Sequence, residues 1–143
     1  MAARVLDSWA LMAYFGGEPE APQVKQILLK ADISGQRLLL CAVNWGEVYY
    51  SVMRVTNQAK AEAIAREIAG MAIEIVPVEA DLHLVRQAAI YKAAKRFSYA
   101  DAFAAALAKS RKAELITGDP EFRLVEDEVR IHWLKAERTA DGQ

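Results

Sequence analysis

The sequence predicts an α/β layer fold built on a mainly parallel sheet. Three observations predict it. Short apolar runs alternate along the chain with longer segments whose apolar residues recur at helical spacing. One run, "RLLLCAV" at 37–43, is almost continuously apolar, as a strand covered on both faces must be. The chain also has a globular make-up: 143 residues, 54% hydrophobic and 26% charged, enough for one domain with a real core.

The elements follow in order. "ARVLD" at 3–7 reads as a short buried strand, and residues 8–15 as a helix stopped by Gly16-Gly17. Residues 22–34 place Val24, Ile27, Leu28 and Ala31 at helical spacing, and Gly35 closes that helix. The strand at 37–43 is too short for a helix. Residues 44–55 set Trp45, Val48, Val52 and Val55 on one helical face, and 58–70 form a further amphipathic helix ending at Gly70. "IEIVPV" at 73–78 is a third strand, 80–95 a helix, and "SYADAFAAALAKSR" at 98–111 an alanine-rich helix. "AELIT" at 113–117 is a fourth strand, Gly118 turns the chain, and "VRIHWL" at 129–134 is a fifth strand. One domain over 1–134 is expected, then a loose polar tail, "KAERTADGQ", over 135–143.

Composition excludes several function classes. Cys41 stands alone inside an apolar run, so no disulfide forms within the chain and a reducing compartment, the cytoplasm, is expected. No segment approaches the roughly 20 apolar residues of a membrane span, and the N-terminus does not read as a signal peptide. No membrane partner is expected. Net charge is -1 and the pI about 6.1, which is no broad basic footprint for nucleic acid. A phosphate-bearing partner would need a local basic patch or a bound cation.

In parallel sheets ligands gather beyond the carboxyl ends of the strands. Four acids fall at such junctions: Asp7 after the first strand, Glu47 in "VNWGE", Asp101 in "SYAD" and Asp119 in "TGDPEF". Each alone also reads as a helix cap. Asn44 with Glu47 and Ser98 with Asp101 have capping-box spacing, and Asp119 precedes Pro120 as an N-cap precedes a first-turn proline. Three points favour a site. Ser8, Asn44 and Ser98 are caps already at hand. Asp101 is the only charge between Ser98 and Ala108, where an ionised carboxylate packed among alanines is costly unless paired. No Lys, Arg or His stands within two residues of Asp7, Asp101 or Asp119 to serve as an immediate partner. Two like charges about 4 Å apart repel by roughly 4 kcal/mol at an effective dielectric of about 20. A helix N-terminus offsets only about 0.3–1 kcal/mol. Such a cluster either keeps protons or takes a divalent cation, and all-oxygen ligands favour Mg²⁺ or Mn²⁺. His83 and His132 show no ligand spacing and read as structural or surface residues. Lys92, Lys95 and Arg96 precede Asp101 without an intervening acid up to Arg96 and are candidates to hold RNA phosphates; Tyr91, Phe97 or Tyr99 are candidates to stack bases.

Asp7 after a first strand, Glu47 early in a middle helix, "SYADAFAAALA" and "TGDPEF" together resemble the PIN-domain ribonucleases, over nearly the whole chain from Val5 to about Trp133. The small single-domain format resembles the VapC toxins of toxin–antitoxin pairs. The resemblance implies a three-layer α/β/α sandwich and Mg²⁺- or Mn²⁺-dependent endonucleolytic cutting of single-stranded regions of RNA. It implies Asp7, Glu47 and Asp101 as core catalytic and metal-binding acids, Asp119 as a fourth, and Ser8 and Thr117 as supporting polar residues. It implies a homodimer, and an antitoxin protein whose C-terminal segment blocks the acids. Trp9 departs from the pattern, standing where relatives often carry a small polar residue. A metal-activated water would attack phosphorus and leave a 5′-phosphate, with no histidine base required. Three other readings stand beside this one. A receiver-type phospho-acceptor would want a lysine where "TGDP" stands. A catalytically silent RNA- or protein-binding module would not need all four acids. A DNA nuclease would use the same metal site.

Overall fold

Five parallel strands carry the molecule, in the order β3-β2-β1-β4-β5. They are β1 (Arg4–Leu6), β2 (Leu38–Cys41), β3 (Ile73–Val76), β4 (Glu114–Thr117) and β5 (Ile131–Trp133). The helices between them are α1 (Ser8–Phe15), α2 (Ala21–Ser34), α3 (Ala42–Val55), α4 (Gln58–Ala69), α5 (His83–Ala94) and α6 (Tyr99–Arg111), with a 3-10 helix over Pro120–Val125. The computed structural model describes residues 3–136. The part of the expected tail at 137–143 lies outside the described residues.

The chain steps from β1 outward to β2 and β3, then crosses back to β4 on the other side of β1. Parallel crossovers are right-handed, so reversing the direction of travel moves the connecting helices to the other face. The core divides accordingly. Leu6, Leu38, Leu40, Ile73 and Ile116 pack with residues of α1 to α4. Val5, Leu39, Cys41, Val76 and Leu115 pack with α5, α6 and the 3-10 helix. Neighbouring residues along each strand go to opposite layers, as period-two geometry requires. This is the three-layer α/β/α sandwich. Every residue of β2 is buried, as a strand covered on both faces should be.

Register is set by pairing Val5 with Leu39 and Leu115, and Leu6 with Leu40 and Ile116. β1 is thus central, and all paired strands run the same way. The crevice where strand order reverses opens between the carboxyl ends of β1 and β4, the place such sheets offer to ligands.

Several boundaries differ from the sequence expectation: β3 stops at Val76 and not at Val78, and β5 spans only Ile131–Trp133 of the expected 129–134. The second strand stops at Cys41, and Ala42 and Val43 already belong to α3. Asn44 therefore sits inside the first turn and is not its cap. The third inter-strand region begins its helix at His83, not near residue 80. A turn closed by the Leu82 amide on the Glu79 carbonyl occupies the gap, and the Asp81 carboxylate accepts the His83 amide at 3.0 Å. That side-chain bond offers the backbone an alternative to one more helical turn.

Candidate metal centre

Asp7 ends β1 and caps α1. Its Oδ1 accepts the Ala10 amide at 2.9 Å, and its Oδ2 accepts the Thr117 hydroxyl from the end of β4. The side chain is wholly buried. The expectation that Ser8 would cap this helix is corrected: Asp7 is the cap, and Ser8 instead donates its hydroxyl to Glu47 on α3. Thr117 in turn accepts the Asp119 amide at 3.0 Å, tying the exit of β4 to the same network.

Asp101 lies in the first turn of α6, whose cap is Ser98, as the spacing indicates. The eight residues Asp101–Ala108 are all buried, because small side chains let α6 pack closely on several sides. Asp119 caps the 3-10 helix by accepting the Glu121 amide at 3.0 Å, so its capping role also holds. One carboxylate oxygen each from Asp101, Asp119 and Glu121 lie within 4.8 Å of one another.

Charge explains the state of this group. Burial pushes the Asp101 carboxyl up to about 8, helped by its hydrogen bond to Glu121 and by the negative charges of Asp119, Asp7 and Glu47. Two carboxyls hydrogen-bond only when one of them keeps a proton. Burial likewise pushes Asp7 up to about 7, against the lowering effect of its bonds to Thr117 and Ala10, with Asp119 and Glu47 raising it further. Asp7 and Asp101 thus each feel the charges of Asp119 and Glu47. Asp101 and Asp119 share the tight group; Asp7 and Glu47 flank it. Among the described residues, no cation pairs with any of these acids, and the ion pairs are Arg4–Glu114 and Lys109–Glu128.

Glu121 is a member that the sequence reading missed. The available signal was an acid one residue beyond Pro120, in a turn too tight to carry it away from Asp119. Asn44 is a second. Its Nδ2 donates to the Ala100 carbonyl at 3.0 Å, which ties α3 to the start of α6, while its Oδ1 is buried without a partner. The supposed Asn44–Glu47 capping box does not form, because the cap position is Cys41. The basic run lies differently from the acids. Lys92 donates to the Phe97 carbonyl at 2.6 Å, Lys95 ends α5, and Arg96 is exposed. Tyr91 and Phe97 are core residues, which corrects their candidacy as base platforms; Tyr99 is exposed. His83 and His132 stand outside the acid group.

A donor set made wholly of carboxylates, with no cation of its own and protons retained at neutral pH, fits a hard divalent ion. The model of the PIN domain family matches residues 4–128. The chain belongs to the PIN domain family. Its fold is also that of solved VapC toxins. It is similar to VapBC2 from Rickettsia felis bound to a promoter DNA fragment, with a TM-score of 0.68 and 12% identity over 93% of this chain and 99% of that one. DNA-bound VapBC from Salmonella typhimurium gives a TM-score of 0.67 at 15% identity, covering 92% of this chain and 98% of that one. Mycobacterium tuberculosis VapC20, described as a toxin cleaving the sarcin–ricin loop, gives 0.66 at 16% identity, covering 86% and 95%. No curated protein matches this PIN domain at a significant level.

Proposed function

We propose that this PIN domain is a divalent-metal-dependent endoribonuclease that cuts single-stranded regions of RNA, and that it is the toxin of a toxin–antitoxin pair. One observation supports the reading: carboxylate oxygens of Asp101, Asp119 and Glu121 lie within 4.8 Å of one another, Asp7 and Glu47 are near enough to act on Asp101, and no cation among the described residues pairs with them. Asp101, Asp119 and Glu121, with Asp7 and Glu47 beside them, would hold Mg²⁺ or Mn²⁺. When bound, such an ion neutralises phosphate charge and lowers the pKa of a water. The chain's own contribution is position. Thr117 and the Ala10 amide fix the Asp7 carboxyl, Ser8 steers Glu47, and Asn44 ties the helix bearing Glu47 to the helix bearing Asp101. Lys95 and Arg96 supply positive charge for RNA phosphates, and exposed Tyr99 a ring for a base.

The toxin assignment is supported by the VapBC and FitAB complexes among the structural neighbours. Exposed Leu29 and Ile33 on α2, and Tyr50 and Met53 on α3, are apolar surface for an antitoxin or a second copy to cover. A single domain over 1–134, the cytoplasm and a homodimer complete the proposal. No helix among the described residues is long and apolar enough to cross a membrane.

The test is cleavage of end-labelled RNA and single-stranded DNA with Mg²⁺, Mn²⁺ or chelator, by wild type and Asp101→Asn. Metal-dependent RNA products ending in 5′-phosphate, lost in the variant, are expected. Cutting of DNA alone, an inert wild type, or a fully active Asp101→Asn would each overturn the proposal.

A further inference from the structure

We propose that Trp9 is a positioning residue, whose indole packs on the bare Cα of Gly118 and clamps the corner that presents Asp119 and Glu121 to Asp101. The inference rests on the metal-site reading above. Gly118 is not in the left-handed region, so backbone conformation does not demand glycine there. Space does. A Cβ at Gly118 would lie 2.3 Å from Cζ3, 2.4 Å from Cη2 and 3.0 Å from Cε3 of Trp9, where no side chain fits. The benzo edge of the indole occupies that volume instead.

The contact completes a pattern in the first turn of α1. Three consecutive residues grip three different parts of the site. Asp7 takes the Thr117 hydroxyl at the end of β4, Ser8 reaches Glu47 on α3, and Trp9 covers Gly118 between Thr117 and Asp119. Trp9 itself is half-buried and packed against the cluster that includes Leu6, Leu11 and Ile116, so it moves with the sheet. The corner needs such support. It is followed by a 3-10 helix of only six residues, a form with poorer hydrogen bonds, and it carries two acids facing a third. A large rigid side chain seated on Gly118 limits how far Asp119 and Glu121 can swing away from Asp101.

The experiment uses the full chain, well below its melting temperature, with two readouts. Amide hydrogen exchange of the metal-free protein reports the corner, and Mn²⁺ titration calorimetry reports the site. Trp9→Leu is expected to raise exchange at Asp119, Glu121 and Phe122, whose amides bond within the corner, while α2 and α5 stay protected. Mn²⁺ affinity is expected to fall about 10–100-fold, as when a group supporting metal ligands is removed. Gly118→Ala, a second route to the same displacement, is expected to do likewise. In Trp9→Leu/Gly118→Ala, the smaller side chain makes room for the new methyl, and affinity is expected to recover above that of Gly118→Ala alone. Unchanged exchange at the corner in both single variants overturns the clamp. Raised exchange with wild-type Mn²⁺ affinity overturns its service to the site. A wild type that binds no Mn²⁺, with the corner loosened as expected, instead sinks the metal reading and leaves Trp9 as a structural clamp.

Discussion

β1 and β4 lie side by side, and their two ends handle charge in opposite ways. At the amino ends, register sets Arg4 opposite Glu114, and the two form an ion pair at 3.0 Å with both side chains partly in water. At the carboxyl ends, the same strands deliver Asp7 and, past Thr117, Asp119, and no cation among the described residues answers them. The first end is a neutral pair of small energetic consequence. The second is a standing repulsion relieved only by protons kept near neutral pH. The two ends lie about 10 Å apart along three residues of strand, so the same pair of strands carries a paired charge at one end and, among the described residues, unpaired acids at the other.

Substitutions at the two ends sharpen this contrast. The largest effect is expected from pH and metal together. Asp7 and Asp101 hold their protons in the folded state up to about 7 and about 8, whereas the unfolded chain releases them near 3.8. The folded state then binds more protons at these two groups between those limits, so the stability they contribute is full below about pH 4 and is lost as pH rises to about 8. Calorimetry of metal-free protein across that range should show a falling Tm. Mn²⁺ should restore it, and restore it most at the alkaline end, because ions and protons compete for the same oxygens. In Asp7→Asn the fall should be shallower and the Mn²⁺ increment smaller. Equal increments in both proteins would leave Asp7 as a cap and nothing more. A kcal/mol moves the Tm of a domain this size by roughly 3–5 °C, so the slope is measurable.

A middle effect is expected from Thr117→Val. It removes the hydroxyl from a buried carboxyl and leaves the Asp119 amide without its acceptor. Urea unfolding should show a loss of about 1–3 kcal/mol, and Mn²⁺ binding should weaken with it. An unaltered midpoint would mean that water replaces the hydroxyl freely. The smallest effect is expected at the other end. Arg4→Ala breaks a half-exposed ion pair, which contributes under about 1 kcal/mol, and Mn²⁺ affinity should not change. A loss of affinity there would show that the two ends are coupled through the strands, and the contrast would fail.

Much of the frame is legible from local pattern. The uninterrupted "LLLC" reports burial on both faces, and alternation of strand and helix reports a parallel sheet. Ser98 announces the start of α6, and Asp119-Pro120 announces a helical start too. The lone charge in "SYADAFAAALA" marks Asp101 as unusual before any partner is known. Other features are silent in sequence because they depend on what lies opposite. Asn44 reads as a cap and is a bridge, since the helix begins two residues earlier. Tyr91 and Phe97 look available to a base and lie in the core. Gly118 reads as a turn, and it is the seat of a tryptophan more than a hundred positions away.

By itself, then, the amino-acid order determined most of the elements, their sequence and the four acids near helix starts, because hydrophobic period and capping act over a few residues. Only the tertiary structure decided that β1 lies between β2 and β4, that Glu121 joins Asp101 and Asp119, and that no cation among the described residues pairs with them. Those outcomes turn on contacts between distant segments, and on burial that raises the cost of charge, neither of which any short stretch of chain contains.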